Sequence, residues 1–288
     1  MGTMVRVEVV GASEGGGDRD AIDAAIDRAF DWFRRVEAAC SRFDDGSELR
    51  QACAHVGQPV PMSDLVFEAV RFAVAVAEET GGAFDPAIGG EMAARGFDRD
   101  YQTGARASAT TGHATYRDIH LDTAARTITL TQPLVIDLGA VAKGLAIDLA
   151  ARELSEHAGF AIDAGGDVFV GGTNIQGEPW SVGVRHPRLH DALIASVRVS
   201  GSAVCTSGDY ERVTPQGHHL IDARRHEPVA DLASVTVVAP SAMVADALAT
   251  AAFALGREDG FRLLERHAVE GLFVTTALEC VKTTEFPG

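Results

Sequence analysis

The sequence predicts an α+β fold, with mixed or antiparallel sheets and packed helices, in one domain spanning residues 1–288. Three observations carry this expectation. Short strand-like segments outnumber helical ones and cluster together, where a doubly wound fold would alternate them. The helical segments have apolar residues at 3.6-residue spacing, so each has one face to bury. No repeat of about 20 to 50 residues and no Pro-rich linker divides the chain.

The elements follow in order. Val5 to Val10 alternates as a strand, Gly15-Gly16-Gly17 reads as a loop, and Asp20 to Cys40 carries Ile22, Ile26, Phe30, Phe33 and Val36 on one helical face. Ser63 is placed to cap a second helix bearing Leu65, Val66, Ala69, Val70, Ala73 and Val74. Ile119 to Leu121, Thr127 to Leu130 and Leu134 to Asp137 read as short strands before a helix from Ala140 to His157. Phe160 to Asp163, Val168 to Val170, Trp180 to Arg185, Ser196 to Val199 and Ser234 to Val238 read as further strands. Helices over Ala242 to Leu255 and Gly260 to His267 precede a last strand, Gly271 to Thr275.

Composition narrows the function. At 288 residues and 46% hydrophobic, the chain can bury a substantial core. A net charge of −16 argues against nucleic acid or an acidic membrane as partner, because both select for positive surface. An anionic ligand would then need metal, backbone N–H groups or a local cation to reverse the field. No apolar run approaches the roughly 18 residues of a membrane span, and no signal-peptide core is read, so the expectation is no membrane insertion and a cytoplasmic protein, or an exported form trimmed of its signal. The cysteines at 40, 53, 205 and 280 form no C-x-x-C pair and are expected to be free thiols. The G-x-G-x-x-G, P-loop, H-E-x-x-H and G-x-S-x-G signatures are absent, so any chemistry must be assembled from dispersed segments.

Three segments are candidates. In Ile136-Asp137-Leu138-Gly139-Ala140-Val141-Ala142-Lys143-Gly144 an extended stretch enters a helix whose free N–H groups, with Lys143 one turn in, suit a phosphate. Taken alone, the same residues are better described as a turn in which Asp137 caps the helix. On the small-residue helix from Ser241, Asp246 and Thr250 are four apart and share a face. A carboxylate and a hydroxyl at that spacing suit a hard, oxygen-ligated ion such as Mg²⁺; alternatively Thr250 back-bonds within its helix while Asp246 pairs with a distant cation. The third segment is Cys205-Thr206-Ser207-Gly208-Asp209-Tyr210 followed by His218-His219-Leu220-Ile221-Asp222. If the histidines lie on an extended strand, only one of them faces a given cleft, and a His with an Asp three residues on reads either as a general base with its carboxylate or as structural.

Together these segments resemble the ApbE family of FAD:protein FMN transferases. The matching pieces run in order: Met1-Gly2-Thr3, Ser41 to Leu49, Gly82-Ala83-Phe84-Asp85-Pro86, Asp137 to Gly144, Gly165-Gly166-Asp167, Trp180 to Gly183, Thr206 to Tyr210, His219 to Asp222 and Ala245 to Thr250. The resemblance implies a T-fold-like α+β fold with FAD in a cleft, contacted by Met1, Phe43, Ala83, Phe84, Asp85, Asp137, Lys143, Thr206 and Ile221. It implies Mg²⁺ held by Asp246, Thr250 and the Ala140 carbonyl, with His219 and Asp222 as the catalytic pair. The implied reaction moves the FMN half of FAD to a Thr or Ser hydroxyl of an acceptor flavoprotein, in a segment of Ser/Thr-Gly-Ala-Thr type, and releases AMP.

Some positions depart from the family pattern. Phe43 stands where Tyr is usual, and the stretch usually reading Asp-Pro-x-Thr-Gly-x-Pro is Asp222-Ala223-Arg224-Arg225-His226-Glu227-Pro228, which bears on acceptor recognition. Many family members are exported lipoproteins, whereas neither leader nor lipid-accepting cysteine is read here. Two other functional classes stay open: a metal-dependent FAD pyrophosphatase, with water in place of the acceptor, and a non-catalytic flavin carrier. The nearest approach to an acceptor segment within the chain, Thr111-Gly112-His113-Ala114-Thr115, carries an extra His, so the chain is not expected to flavinylate itself.

Overall fold

A computed structural model describes residues 2–11, 16–100, 104–106 and 113–288. Its centre is a seven-stranded sheet, in spatial order Val5–Val9, Gly159–Ala164, Asp167–Gly172, Ser202–Gly208, Leu232–Ala239, Glu270–Thr275 and Cys280–Lys282. Every neighbouring pair is antiparallel. The helices are α1 (Gly16–Cys40), α2 (Glu48–Ala54), α3 (Asp64–Glu79), α4 (Gly89–Ala94), α5 (Ala142–Leu154), α6 (Ala242–Leu255) and α7 (Arg257–Arg266). No helix among the described residues is long and apolar enough to cross a membrane.

The sheet is covered on both faces. On one, α5 and α6 pack with α1 into a core that includes Phe33, Phe67, Ile147, Leu248, Phe253 and Phe273. On the other, the hairpin of Trp180–Arg185 and Leu193–Val199 lays Val182, Val184 and Val197 against Val170, Val204, Ala233 and Val274. This double cover explains why strand Leu232–Ala239 is buried along its whole length, with no alternation of wet and dry positions. It also explains why Ser202–Gly208, a run of small residues with weak strand preference, forms a central strand that the sequence reading passed over. Its neighbours supply the pairing and the burial that its own side chains do not.

Helix α6 is apolar nearly all round and correspondingly buried. Ser241 caps it, accepting from the Val244 N–H, and the carboxylate of Asp148 on α5 accepts from Ser241 Oγ (2.6 Å) and from the N–H groups of Ala242 (2.7 Å) and Met243 (3.0 Å). One turn before Asp148, Gly144 lets the two helices close: a Cβ there would lie 2.4 Å from the Ala242 carbonyl oxygen. Gly144→Val is therefore expected to destabilise the fold by about 1 to 3 kcal/mol or more through forced helix separation, to be read as a lower denaturant midpoint.

Two local expectations are corrected. Leu134 to Asp137 does not form a strand; Val135 makes only an isolated parallel bridge with Ile88. The backbone is extended, but Ile136 N–H donates to the Cys53 thiol (3.4 Å) and Asp137 N–H to the Pro86 carbonyl (2.8 Å), so its hydrogen bonds go to a loop and a side chain. Nor does Asp137 cap the following helix, which starts at Ala142 after Val141 without a side-chain cap. The four cysteines are free thiols, and burial pushes Cys40 up to about 12 and Cys205 well above the ordinary thiol range, which leaves neither of these two as a thiolate nucleophile.

Candidate functional site

A cleft of about 380 Å³ opens where the N-terminal end of α5, the inner face of α6 and the turns around 83–92, 206–212 and 219–221 converge. Of the residues expected from the sequence, Ala83, Phe84, Asp85, Asp137, Ala140, Lys143, Thr206, His219, Ile221, Asp246 and Thr250 all line it. Phe43 lines an adjoining pocket of about 120 Å³ that shares Arg42, Phe97, Asp137, Gly139, Lys143 and Arg212 with the cleft. Met1 lies outside the described residues, while Gly2 and Thr3 reach the cleft wall.

Two groups organise the wall beside Phe43. Asp137 accepts the Gly139 N–H through Oδ1 (2.8 Å) and pairs through Oδ2 with Arg42 Nε (3.0 Å). Arg42 is only 7% exposed; it donates to the Phe97 carbonyl (2.6 Å) and the Gly89 carbonyl (3.4 Å) and stacks 4.3 Å over the Phe43 ring. A buried guanidinium so fully partnered is a fixed part of the site, yet the sequence reading gave it no role. Its only signal was its place inside the Ser41-Arg42-Phe43 stretch. On the opposite side Asp85 accepts N–H groups from Ala87 (2.8 Å) and Tyr116 (3.0 Å), while burial pushes its carboxyl up to about 6.

At the α5–α6 end, Asp246 and Thr250 do share one face of α6. Thr250 Oγ1 lies 2.9 Å from Ser207 Oγ, so its hydroxyl is turned across to the sheet and not back along its own helix. Lys143 is not the free phosphate cation the sequence suggested. Its ammonium contacts the buried carboxylate of Asp167 and stands 3.5 Å from Asp246 Oδ2. Asp167, 2% exposed, also accepts the Thr206 N–H (3.1 Å). Among the described residues no group of three or more His, Cys, Asp or Glu side chains could hold a metal. The donors present are carboxylate and hydroxyl oxygens, and Asp246 Oδ2 is buried without a hydrogen-bond partner. Such a set fits a hard dication that takes its remaining ligands from carbonyls, water and phosphate.

The two histidines part company. His218 Nε2 lies 3.0 Å from the Val229 carbonyl oxygen, and its ring packs edge-on to Phe253. His219, one residue past the short strand Gly217–His218, turns into the cleft with its ring edge-on to Phe97 and Nδ1 3.4 Å from the Arg212 carbonyl. Burial, helped by the Arg212 cation, pushes the His219 imidazole down to about 4, so the ring is neutral near pH 7. Asp222 does not support it. Its carboxylate receives Arg224 through the backbone N–H (3.0 Å), Nε (2.9 Å) and Nη2 (2.7 Å), with Arg225 Nε at 3.6 Å. These adjacent arginines draw Asp222 into its own hairpin, Ile221–Asp222 against Glu227–Pro228. Within that hairpin His226 adopts φ 55°, the left-handed conformation that the glycine of the usual pattern would supply, and its ring bonds Glu91 (2.7 Å).

Most of the matching segments thus meet around one cleft, Trp180 to Gly183 lying in the hairpin on the other face, and the whole-chain likeness agrees: the model of the ApbE family matches residues 1–273. The chain belongs to the ApbE family. Among its relatives, a FAD:protein FMN transferase of Treponema pallidum (strain Nichols) is 34% identical over 304 aligned positions, covering 95% of this chain and 82% of the relative. The FAD:protein FMN transferase of Salmonella typhimurium (strain LT2) is 29% identical, covering 100% and 85%. The crystal structure of an ApbE protein from Thermotoga maritima superposes with a TM-score of 0.84 at 27% identity, covering 99% of each chain. The flavin transferase ApbE of Vibrio cholerae gives 0.80 at 23% identity over 98% and 94%, a likeness of fold. The α+β class with its antiparallel sheets is therefore that of ApbE proteins.

Proposed function

We propose that this ApbE protein transfers the FMN half of FAD to a Thr or Ser hydroxyl of an acceptor flavoprotein, with AMP as leaving group and Mg²⁺ at the pyrophosphate. The observation that carries this reading is the presence in one cleft of a neutral imidazole, His219, and an oxygen-donor cluster around Asp246 and Thr250. The names of the relatives point the same way. FAD would lie with its flavin against Phe43, Ala83, Phe84, Asp85 and Ile221, and its phosphates toward Asp137, Lys143, Thr206 and the Ala140 turn.

The acceptor hydroxyl attacks the phosphorus of the FMN phosphoryl, its O–H proton passes to His219, and the P–O bond to the AMP phosphate breaks. Mg²⁺ held by Asp246, Thr250 and the Ala140 carbonyl would offset the charge on the phosphates. The chain supplies orientation through the buried Arg42–Asp137 pair and a base that does not have to shed a proton first at neutral pH. The test is mass spectrometry of candidate flavoprotein subunits incubated with this protein, FAD and Mg²⁺. Covalent FMN on a Ser/Thr-Gly-Ala-Thr segment is expected; free FMN and AMP with an unmodified acceptor would instead assign a pyrophosphatase.

The depressed pKa has a sign that can be measured. Because only the neutral ring accepts a proton, the rate at saturating substrates should hold through the ordinary histidine range and fall only as pH approaches about 4. A midpoint near 6.5 would mean that the working base is a solvated histidine.

The chain itself is a poor acceptor. Thr111 and Gly112 lie outside the described residues. Thr115 caps the short turn Tyr116–Asp118: its Oγ1 accepts the Arg117 N–H, and its own N–H donates to Asp118 Oδ2 (2.9 Å). Peptide mass spectrometry of the protein after incubation with FAD and Mg²⁺ should find Thr115 unmodified.

A further inference from the structure

Asp167 has no part in the proposed chemistry, yet it is among the most deeply buried charges in the protein. Its side chain is 2% exposed and lines the cleft. Oδ1 is committed to the Thr206 N–H, so its orientation is set by the central strand Ser202–Gly208. Oδ2 faces the Lys143 ammonium, and Asp246 Oδ2 faces the same ammonium from α6. Asp246 Oδ2 accepts no hydrogen bond. The charges are simple to add: one ammonium and two carboxylates leave this end of the cleft at −1. Lysine at the mouth of a helix would attract a pyrophosphate; lysine held by two buried carboxylates does so far less, and the chain as a whole carries −16. A bound dication turns the balance to +1.

We propose that Asp167 makes FAD binding conditional on the divalent cation, by neutralising Lys143 so that the phosphate end of the cleft repels the dinucleotide until the metal is in place. The inference rests on the metal reading above, and it concerns binding order, with Asp167 as a positioning residue for Lys143. By linkage the coupling is reciprocal: bound FAD raises the affinity for the cation by the factor that the cation raises the affinity for FAD.

The experiment is titration of FAD, followed by quenching of its fluorescence, into the protein with EDTA and separately with saturating Mg²⁺. Wild type should bind weakly in EDTA and at least about tenfold more tightly with Mg²⁺, the size expected of one unit charge near the phosphates at intermediate dielectric. Asp167→Asn keeps the acceptor for the Thr206 N–H and leaves Lys143 with one carboxylate, Asp246, in place of two. It should bind FAD about tenfold more tightly than wild type in EDTA, with a smaller gain on adding Mg²⁺. Lys143→Met should shift the other way, binding FAD more weakly in EDTA while binding Mn²⁺, read by electron paramagnetic resonance without FAD, more tightly than wild type. Circular dichroism melting identifies a variant that has not folded, and the remaining variant then decides. Wild type that responds to Mg²⁺ alongside a folded Asp167→Asn with unchanged EDTA affinity, or a folded Lys143→Met with unchanged Mn²⁺ affinity, overturns this inference and leaves the metal reading standing. A wild type whose FAD affinity ignores Mg²⁺ overturns both.

Discussion

His219→Ala should retain affinity for FAD and Mg²⁺ and lose transfer rate by roughly 10²- to 10⁴-fold, the usual contribution of a positioned general base. His218→Ala should change the rate little. The contrast follows from where the two rings point, since His218 is tied to the Val229 carbonyl and Phe253 while His219 lines the cleft beside Phe97. Because Asp222 is bound to Arg224, Asp222→Asn should act through its hairpin and not through the proton transfer, leaving the pH profile in place. Stopped assays of acceptor flavinylation with the two histidine variants, alongside FAD binding, separate the roles. Equal losses in both would mean that the ring in the cleft is not the base.

Asp246→Asn should keep the fold and lose most Mg²⁺-supported turnover. The helix that carries Asp246 is buried by its alanines, Leu248 and Phe253 and anchored through Asp148, so an isosteric amide removes charge with little loss of packing. Changes to groups that only support a ligand already cost about 10- to 100-fold in metal affinity, and removal of a direct carboxylate should reach the upper end of that range or exceed it. The measurement is the Mg²⁺ concentration for half-maximal rate, with Mn²⁺ binding as an activity-free check. An unshifted titration would remove Asp246 from the site.

Much of the frame was legible because it depends on local pattern. The apolar spacing of Asp20 to Cys40 and the serine cap at 63 marked helices that form, the first of them starting earlier, at Gly16, and Thr127–Leu130 and Trp180–Arg185 alternate as strands do. Asp246 and Thr250, four apart on one helix, were found for the same reason: a single element sets their geometry.

What the sequence by itself determined is the set of groups available, namely a small-residue helix with one carboxylate and one hydroxyl, a glycine-led turn into Lys143, and two adjacent histidines. Tertiary structure alone decided how they are used. Lys143 meets Asp246 because α5 and α6 close across Gly144, and Asp167 because α5 packs on the sheet. Arg42 reaches Asp137 across almost a hundred residues of chain, and Thr250 on α6 meets Ser207 on the central strand. The physical reason is that a charge leaves water only where a partner is already fixed, and partners distant in sequence become neighbours only after the sheet and its covering helices have packed.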